Sequence, residues 1–156
     1  MKQELIQMFK EITLIISKRS TCCRKQVGSI IVREGRIIST GWNGTASKTS
    51  SCKDYFEFKI QSENLNREEY FKSQLFLDEH REFSNLREIH GECNCIIYAK
   101  QDLSDTELFC SLSPCINCAK IILAAGIKTV YYIEEYDREK LGLELLKNNN
   151  IKVFKI

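Results

Sequence analysis

The sequence lacks the features that would point to a membrane or to nucleic acid. It has no run of about eighteen apolar residues, the length that a membrane-spanning helix needs. Its net charge is only +2, so electrostatics give no reason to expect a nucleic-acid partner. Residues 1–19 carry carboxylates within an apolar pattern and have no small-residue cleavage site, which indicates a helix of the fold rather than an export signal. We therefore expect a cytoplasmic location.

Histidine is scarce, whereas cysteine is not. The chain has two His and eight Cys residues. Without an export signal the thiols should be reduced, as in cytosolic proteins. Where such thiols lie close together, metal ligation explains them better than disulfides do.

The length and the apolar pattern predict a single domain over residues 1–156, interrupted by a polar insertion at about 45–87. Residues 4–18 have a helical apolar stripe, and 27–44 read as a β-hairpin around Glu34-Gly35. After the insertion, helices at 90–101, 114–126 and 137–149 alternate with strands at 107–112, 128–134 and 151–156. This order predicts an α/β three-layer sandwich, with helices flanking a mixed five-stranded sheet. Several aromatic residues argue against disorder in the insertion, and an insertion of this length is usually functional or tied down.

One short motif carries most of the functional information. His90-Gly91-Glu92 is followed, after 21 residues, by Pro114-Cys115-Ile116-Asn117-Cys118. The pattern H-x-E…P-C-x-x-C is the signature of zinc deaminases. His90, Cys115 and Cys118 would hold the metal and leave its fourth position for a water whose pKa the zinc lowers. Glu92 would then move protons as the catalytic acid and base.

Each part of this motif has an alternative explanation. A C-x-x-C pair can be a redox pair, but such pairs usually follow the first strand of a βαβ unit, whereas this one comes late. A single His or Glu is usually an ordinary surface or core residue. The joint pattern favours the metal site. The remaining thiols, Cys93, Cys95 and Cys110, are expected to be small apolar residues.

The chain resembles the zinc-dependent cytidine/deoxycytidylate deaminases, and in particular the deoxycytidylate (dCMP) deaminases of tailed bacteriophages, over roughly residues 20–156. The resemblance rests on "VGSIIVREGRIISTGWNG", "EIHGECN", "LSPCINCAKIILAAGIKTVYY" and "YD" at 136–137. It implies hydrolysis of dCMP to dUMP, the precursor of thymidylate. It further implies a homohexamer, activation by dCTP, inhibition by dTTP with Mg²⁺ and, for a viral chain, a place in the host cytoplasm.

The resemblance also assigns substrate contacts. It implies that Asn43 contacts the nucleotide and that Ser113 and Tyr136 line the pocket. From spacing alone, Asn43 would instead be interpreted as a turn residue between Trp42 and Gly44.

A second zinc is implied by the same resemblance. Its ligands would be Cys22, Cys52, His80 and Glu88, with Cys23 as a substitute for Cys22. A closed site with four ligands would be structural and would tie the insertion to the domain. The alternative is that these scattered residues are two buried thiols, a surface imidazole and a carboxylate near a helix N-terminus.

Two other functions compete with dCMP deamination. The first is deamination of another cytidine nucleotide or nucleoside, or of adenosine in tRNA, although no basic face is evident for tRNA. Arg24 and Lys25 could bind a substrate phosphate, or they could be solvated surface charges. The second is a non-catalytic module stabilised by zinc, against which Glu92 argues because a structural zinc needs no spare carboxylate.

Overall fold

The computed structural model describes residues 1–136 and 140–156. Among these residues, no helix is both long enough and apolar enough to cross a membrane. The elements, in chain order, are α1 (Gln3–Ser17), β1 (Gly28–Arg33), β2 (Arg36–Trp42), β3 (Gly44–Thr45), α2 (Cys52–Ser62), α3 (Arg67–Lys72), α4 (Gln74–Arg87), β4 (Glu88–Ile89), α5 (Gly91–Ala99), β5 (Glu107–Leu112), α6 (Ile116–Ala124), β6 (Thr129–Glu134), α7 (Leu141–Asn148) and β7 (Lys152–Lys155).

Five of the strands form one mixed sheet in the order β2-β1-β5-β6-β7. The pairs β1–β2 and β1–β5 are antiparallel, whereas β5–β6 and β6–β7 are parallel. The two parallel pairs are each connected through a helix, α6 or α7, as parallel strands require. The predicted mixed five-stranded sheet is therefore confirmed.

The sheet is buried on both faces, which explains its long apolar runs. On one face, Ile30 and Val32 of β1 pack with Phe109 and with Phe9 of α1. On the other face, Ile31 packs in a cluster with residues of α5, α6 and α7. Because successive side chains of a strand point to opposite faces, one strand supplies both cores. Helices thus cover both faces of the sheet, and the three-layer arrangement is confirmed.

The predicted hairpin is present, and its turn has the expected chemistry. Glu34 and Gly35 have φ angles of 50° and 75°, as a two-residue hairpin turn with both central residues at positive φ requires. Several boundaries differ from the prediction by one or more residues, and two of these differences concern helices near the motif. Helix α6 begins at Ile116, after Cys115 at the N-cap, rather than at Pro114. Helix α7 begins at Leu141, and residues 137–139 of the helix predicted over 137–149 lie outside the described residues.

The polar insertion forms helices α2, α3 and α4, for which the sequence analysis made no prediction. The side chains of Ser51, Asn66 and Ser73 cap these helices by accepting hydrogen bonds from backbone N–H groups of the first turns. The helices pack around an apolar cluster of their own, centred on the fully buried Phe56. Aromatic contacts link that ring to Phe76 and Phe83. That the insertion and the sheet form a single domain stays a prediction.

Two glycines allow helices to approach the ligand-bearing segments closely. A Cβ at Gly41 would lie 2.3 Å from the backbone N of Cys95 and 2.4 Å from the carbonyl oxygen of Gly91, both in α5. A Cβ at Gly142 of α7 would lie 2.1 Å from the carbonyl oxygen of Pro114. Since any other side chain would collide with backbone at both places, these glycines set the positions of the segments that begin α5 and α6.

Gly41→Ala should push α5 away from β2. We expect the free energy of unfolding to fall by about 1–3 kcal/mol, the usual cost of overpacking, as measured by urea denaturation of the metal-loaded protein. Gly44→Ala is the matched control, because a Cβ at that position would have no atom of the described residues within 4 Å, apart from its chain neighbours. Equal stability of the two variants would contradict this account of the close approach.

Candidate active site and metal clusters

The motif residues His90, Cys115 and Cys118 meet in one cluster, although 25 residues separate the imidazole from the first thiol. Their ligand atoms all lie within 4.8 Å of one another. Nδ1 of His90 is 3.5 Å from Sγ of Cys115 and 3.3 Å from Sγ of Cys118. The structure thus brings together the three residues that were predicted as metal ligands.

Two helix N-termini build this cluster. His90 occupies the N-cap of α5, and Cys115 occupies the N-cap of α6. Cys118, three residues later, lies in the first turn of α6 on the same side as Cys115. Unpaired backbone N–H groups and the helix dipole make such ends electropositive, which favours thiolates over thiols.

Glu92 lies in the first turn of α5 and is only 4% exposed. Burial raises the pKa of its carboxyl group, and the nearby His90 opposes that rise. Its carboxylate also interacts with Cys118. A buried carboxyl group directly beside a cluster of metal-binding side chains is suited to exchanging protons there.

The donors of this cluster suit a zinc ion. Hydrogen bonds from Cys118 and His90 lower the pKa of Cys115 to about 4. The bond to Cys115 raises the pKa of His90 to about 9, whereas contact with Cys115 and Cys93 raises that of Cys118. A metal bound by all three donors would displace any protons that they carry. One imidazole with two thiolates is a donor set that zinc favours.

The second predicted ligand set also meets in space. The ligand atoms of Cys22, Cys52, His80 and Glu88 lie within 4.8 Å of one another. They come from the segment before β1, the first residue of α2, the middle of α4 and β4. Sγ of Cys22 is 3.2 Å from Nε2 of His80. Cys22, Cys52 and His80 are buried, which excludes the alternative of a surface imidazole.

A cation would satisfy polar atoms that this second cluster leaves unpaired. Oε2 of Glu88 accepts a hydrogen bond from Ser84 at 2.8 Å, but its buried Oε1 has no partner among the described residues. Contact with Cys52, together with burial, raises the pKa of Cys22. For Cys52 the bond to Cys22 lowers the pKa, but contact with Cys23 and burial outweigh it and raise the value to about 12. Two thiols, an imidazole and a carboxylate are donor types that zinc accepts, and four of them could fill its tetrahedral coordination.

Asn43 is buried beside the start of α5 and clamps the segment before β1. Its Oδ1 accepts a hydrogen bond from the backbone N of Val27 at 2.8 Å, and its Nδ2 donates to the carbonyl oxygen of Lys25 at 3.0 Å. The backbone N of Asn43 also donates to the carbonyl oxygen of Val27. Its contact with a nucleotide stays a prediction.

Ser113 and Tyr136, the other two predicted pocket residues, are brought together. Oγ of Ser113 accepts a hydrogen bond from the backbone N of Tyr136 at 2.8 Å. The backbone N of Ser113 donates to the carbonyl oxygen of Glu134. Asp137, the second residue of the "YD" pair, lies outside the described residues. Lys25, a candidate for binding phosphate, pairs at the surface with the carboxylate of Glu134.

Sequence reasoning missed one thiol that lies beside the first cluster. Cys93 was expected to be a small apolar residue, yet it is only partly buried and its Sγ is 3.9 Å from that of Cys118. Cys95 and Cys110, in contrast, are fully buried in the apolar core, as expected. Sγ of Cys23 lies 3.2 Å from that of Cys52. Cys23 was named above as a substitute for Cys22, but Cys22 is the one that joins the second cluster.

The fold and the first cluster together define a class of protein. A mixed sheet presents two helix N-termini, from which an imidazole, two thiols and a buried carboxyl group converge. This is the arrangement of a zinc-dependent hydrolytic deaminase.

Comparison with known proteins identifies the family. The family model for the cytidine and deoxycytidylate deaminase zinc-binding region matches residues 3–134. The deoxycytidylate deaminase of Enterobacteria phage T2 is 35% identical over 167 aligned residues, which cover 94% of this chain and 89% of that protein. The chain therefore belongs to the cytidine and deoxycytidylate deaminase family, and its resemblance to the phage enzymes is confirmed.

Solved structures agree with this assignment. The dCMP deaminase of cyanophage S-TIM5, crystallised in complex with dCMP and dUMP, is similar with a TM-score of 0.75 and 29% identity, over 100% of this chain and 99% of that one. A structure from a study of tRNA:A34 deaminases has a TM-score of 0.58 at 17% identity, over 96% of this chain and 91% of that one. The second likeness shows a shared fold alone.

Asn43→Ala should destabilise the protein, because it removes the side-chain partners of the part-buried N–H group of Val27 and of the carbonyl oxygen of Lys25. We expect a loss of about 1–3 kcal/mol in the free energy of unfolding, measured by urea denaturation. Gln26→Ala is the control, since the exposed Gln26 makes one side-chain bond in the same segment, to the carbonyl oxygen of Ser20. If Asn43→Ala were as stable as Gln26→Ala, the clamp would not hold the segment.

Proposed function

We propose that this chain catalyses the hydrolysis of dCMP to dUMP and ammonia. The observation that carries the proposal is the convergence of His90, Cys115 and Cys118 beside the buried Glu92. Substrate choice is supported by the phage T2 relative, a deoxycytidylate deaminase, and by the similar cyanophage enzyme bound to dCMP and dUMP. The product would serve as the precursor of thymidylate. Deamination of tRNA has no comparable support, because the likeness to that structure is limited to the fold.

Zinc would be held by Nδ1 of His90 and by the sulfurs of Cys115 and Cys118. When bound, it supplies Lewis acidity that lowers the pKa of a water molecule toward neutrality. The protein fixes the three donors through the N-caps of α5 and α6. Their combined charge of −2, with His90 neutral, balances that of the metal and favours its retention.

Glu92 would carry out the proton transfers. Its carboxylate would accept the proton of the attacking water, pass it to the cytosine ring nitrogen and then deliver a proton to the departing ammonia. Its burial excludes bulk water from these transfers and strengthens its interactions with charged groups nearby. Asn43, Ser113 and Tyr136 would surround the nucleotide, as the family resemblance implies.

The second cluster would hold a structural zinc. Its four donors are drawn from both sides of the insertion, and the metal would link α2 and α4 to the segment before β1. With four protein ligands, no position is left open for water, so this metal would stabilise the fold rather than react.

Further properties follow from the family resemblance alone and stay predictions. They are assembly into a homohexamer, activation by dCTP, and inhibition by dTTP with Mg²⁺. The cytoplasmic location expected from residues 1–19 also stays a prediction.

Glu92→Gln should retain the zinc and the fold but lose the proton carrier. We expect kcat for dCMP to fall by about 10²–10⁴-fold, measured by chromatographic separation of dCMP and dUMP. Glu107→Gln is the matched control, because Glu107 is a partly buried glutamate at the start of β5, away from both clusters. Normal turnover by zinc-loaded Glu92→Gln would refute the mechanism, and failure of the wild-type protein to convert dCMP would refute the substrate assignment.

Zinc content should report the two clusters separately. We expect two zinc ions per chain in the wild-type protein and one in either Cys118→Ser or Cys52→Ser, measured by inductively coupled plasma mass spectrometry. Only Cys118→Ser should abolish dCMP turnover outright, whereas Cys52→Ser should lower the melting temperature. One zinc per chain in the wild-type protein, unchanged by Cys52→Ser, would rule out the second site.

A further inference from the structure

Cys23 contacts a ligand of the second cluster without belonging to that cluster. Its Sγ lies 3.2 Å from Sγ of Cys52, and its backbone N lies 3.5 Å from the same sulfur. Closing this gap to a disulfide bond of about 2.05 Å requires a movement of about 1.2 Å. Cys52 therefore has two possible partners, the metal and the thiol of Cys23.

Cys23 is also the more accessible of the two thiols. It is only partly buried, whereas Cys52 is fully buried. Cys23 lines a surface cavity of about 320 Å³ together with Arg24, Arg67, Phe71, Phe76 and Leu77. A small reagent that enters this cavity meets Cys23 before it can reach Cys52.

The charges around the cavity favour an anionic reagent. Arg24 and Arg67 are among its lining residues, and Arg67 interacts electrostatically with Cys23. Arg67 also pairs with Glu57 at 2.7 Å and lies over the ring of Phe71, which holds its guanidinium in place. The two arginines would attract the carboxylates of an organic disulfide towards Cys23 at the mouth of this cavity.

We propose that Cys23 is a thiol–disulfide exchange site, which captures Cys52 as a disulfide and so releases the metal from the second cluster. The inference rests on the second zinc site proposed above. It makes retention of that metal dependent on the thiol–disulfide balance around the protein.

The exchange proceeds in two balanced steps. The thiolate of Cys23 attacks one sulfur of the organic disulfide, which forms a mixed disulfide and expels one thiolate. The thiolate of Cys52 then attacks the sulfur of Cys23, which forms the Cys23–Cys52 bond and expels the second thiolate. Two protein sulfurs are oxidised and the organic disulfide is reduced to two thiolates. One of these takes the proton of Cys23, and the other takes a proton from the solvent. Cys52 can no longer donate a thiolate, so the metal loses a ligand.

The test follows zinc release directly rather than enzyme activity. Zinc-loaded wild-type protein is treated with glutathione disulfide under anaerobic conditions in the presence of a chromogenic zinc chelator. We expect one zinc per chain to be released, with a Cys23–Cys52 linkage found by peptide mass spectrometry. A thiol reductant with added zinc should restore the original content.

Variants identify the responsible thiol. Cys23→Ser should start with the wild-type zinc content and lose zinc at least tenfold more slowly. Cys23→Ala serves the same purpose if the serine variant folds poorly. Cys93→Ser is the matched control, because Cys93 is the corresponding spare thiol beside the first cluster, 3.9 Å from Cys118. It should lose zinc at the wild-type rate.

Three results would overturn the inference. One is unchanged release from Cys23→Ser, for example through a Cys22–Cys52 linkage. Another is retention of both zinc ions by oxidised wild-type protein. The third is a wild-type zinc content of one per chain before oxidation, which would refute the second zinc site itself and can be told apart by that initial measurement.

Discussion

The central constraint on this fold is that an imidazole and two thiols lie within 4.8 Å of one another at the N-termini of two helices. These donors are close enough for the protonation of each to affect the pKa of the others. A bound cation would displace the protons and bind all three donors. The backbone must place them, because His90 and Cys115 are both N-cap residues whose positions follow from where α5 and α6 begin. Gly41 and Gly142 are part of the same constraint, since a Cβ at either would push against a ligand-bearing segment.

The two clusters are mechanically linked through one short strand. Glu88 belongs to the second cluster, and His90, two residues later, belongs to the first. Between them, β4 pairs with β3 in the register Gly44↔Ile89, directly after the clamp that Asn43 forms. A metal that fixes Glu88 would therefore also restrict the segment that presents His90. Through such a metal, the insertion would influence the position of His90 without contacting the substrate.

Local signals in the sequence were enough to predict much of this. The Glu34-Gly35 turn fixed the hairpin, and the short motif fixed the first cluster, because a ligand's place at a helix start can be inferred from sequence spacing. The helices of the insertion have recognisable N-cap residues, such as Ser51 with Asp54 three residues later. Their apolar patterns are weak, so these helices were not predicted. The second ligand set is scattered over Cys22 to Glu88, so only the family resemblance pointed to it. Which way Cys23 and Cys93 face, and which glycines permit close contacts, depends on tertiary packing that no local pattern encodes.

The most direct test of this account is diffraction from crystals of zinc-supplied protein, recorded at the zinc absorption edge. Two anomalous peaks per chain are expected. One peak should lie between His90, Cys115 and Cys118, close to the carboxyl group of Glu92, and the other should lie among the four ligands of the second cluster. A protein that converts dCMP but shows no peak at the first cluster would contradict the central claim that this cluster holds the catalytic metal.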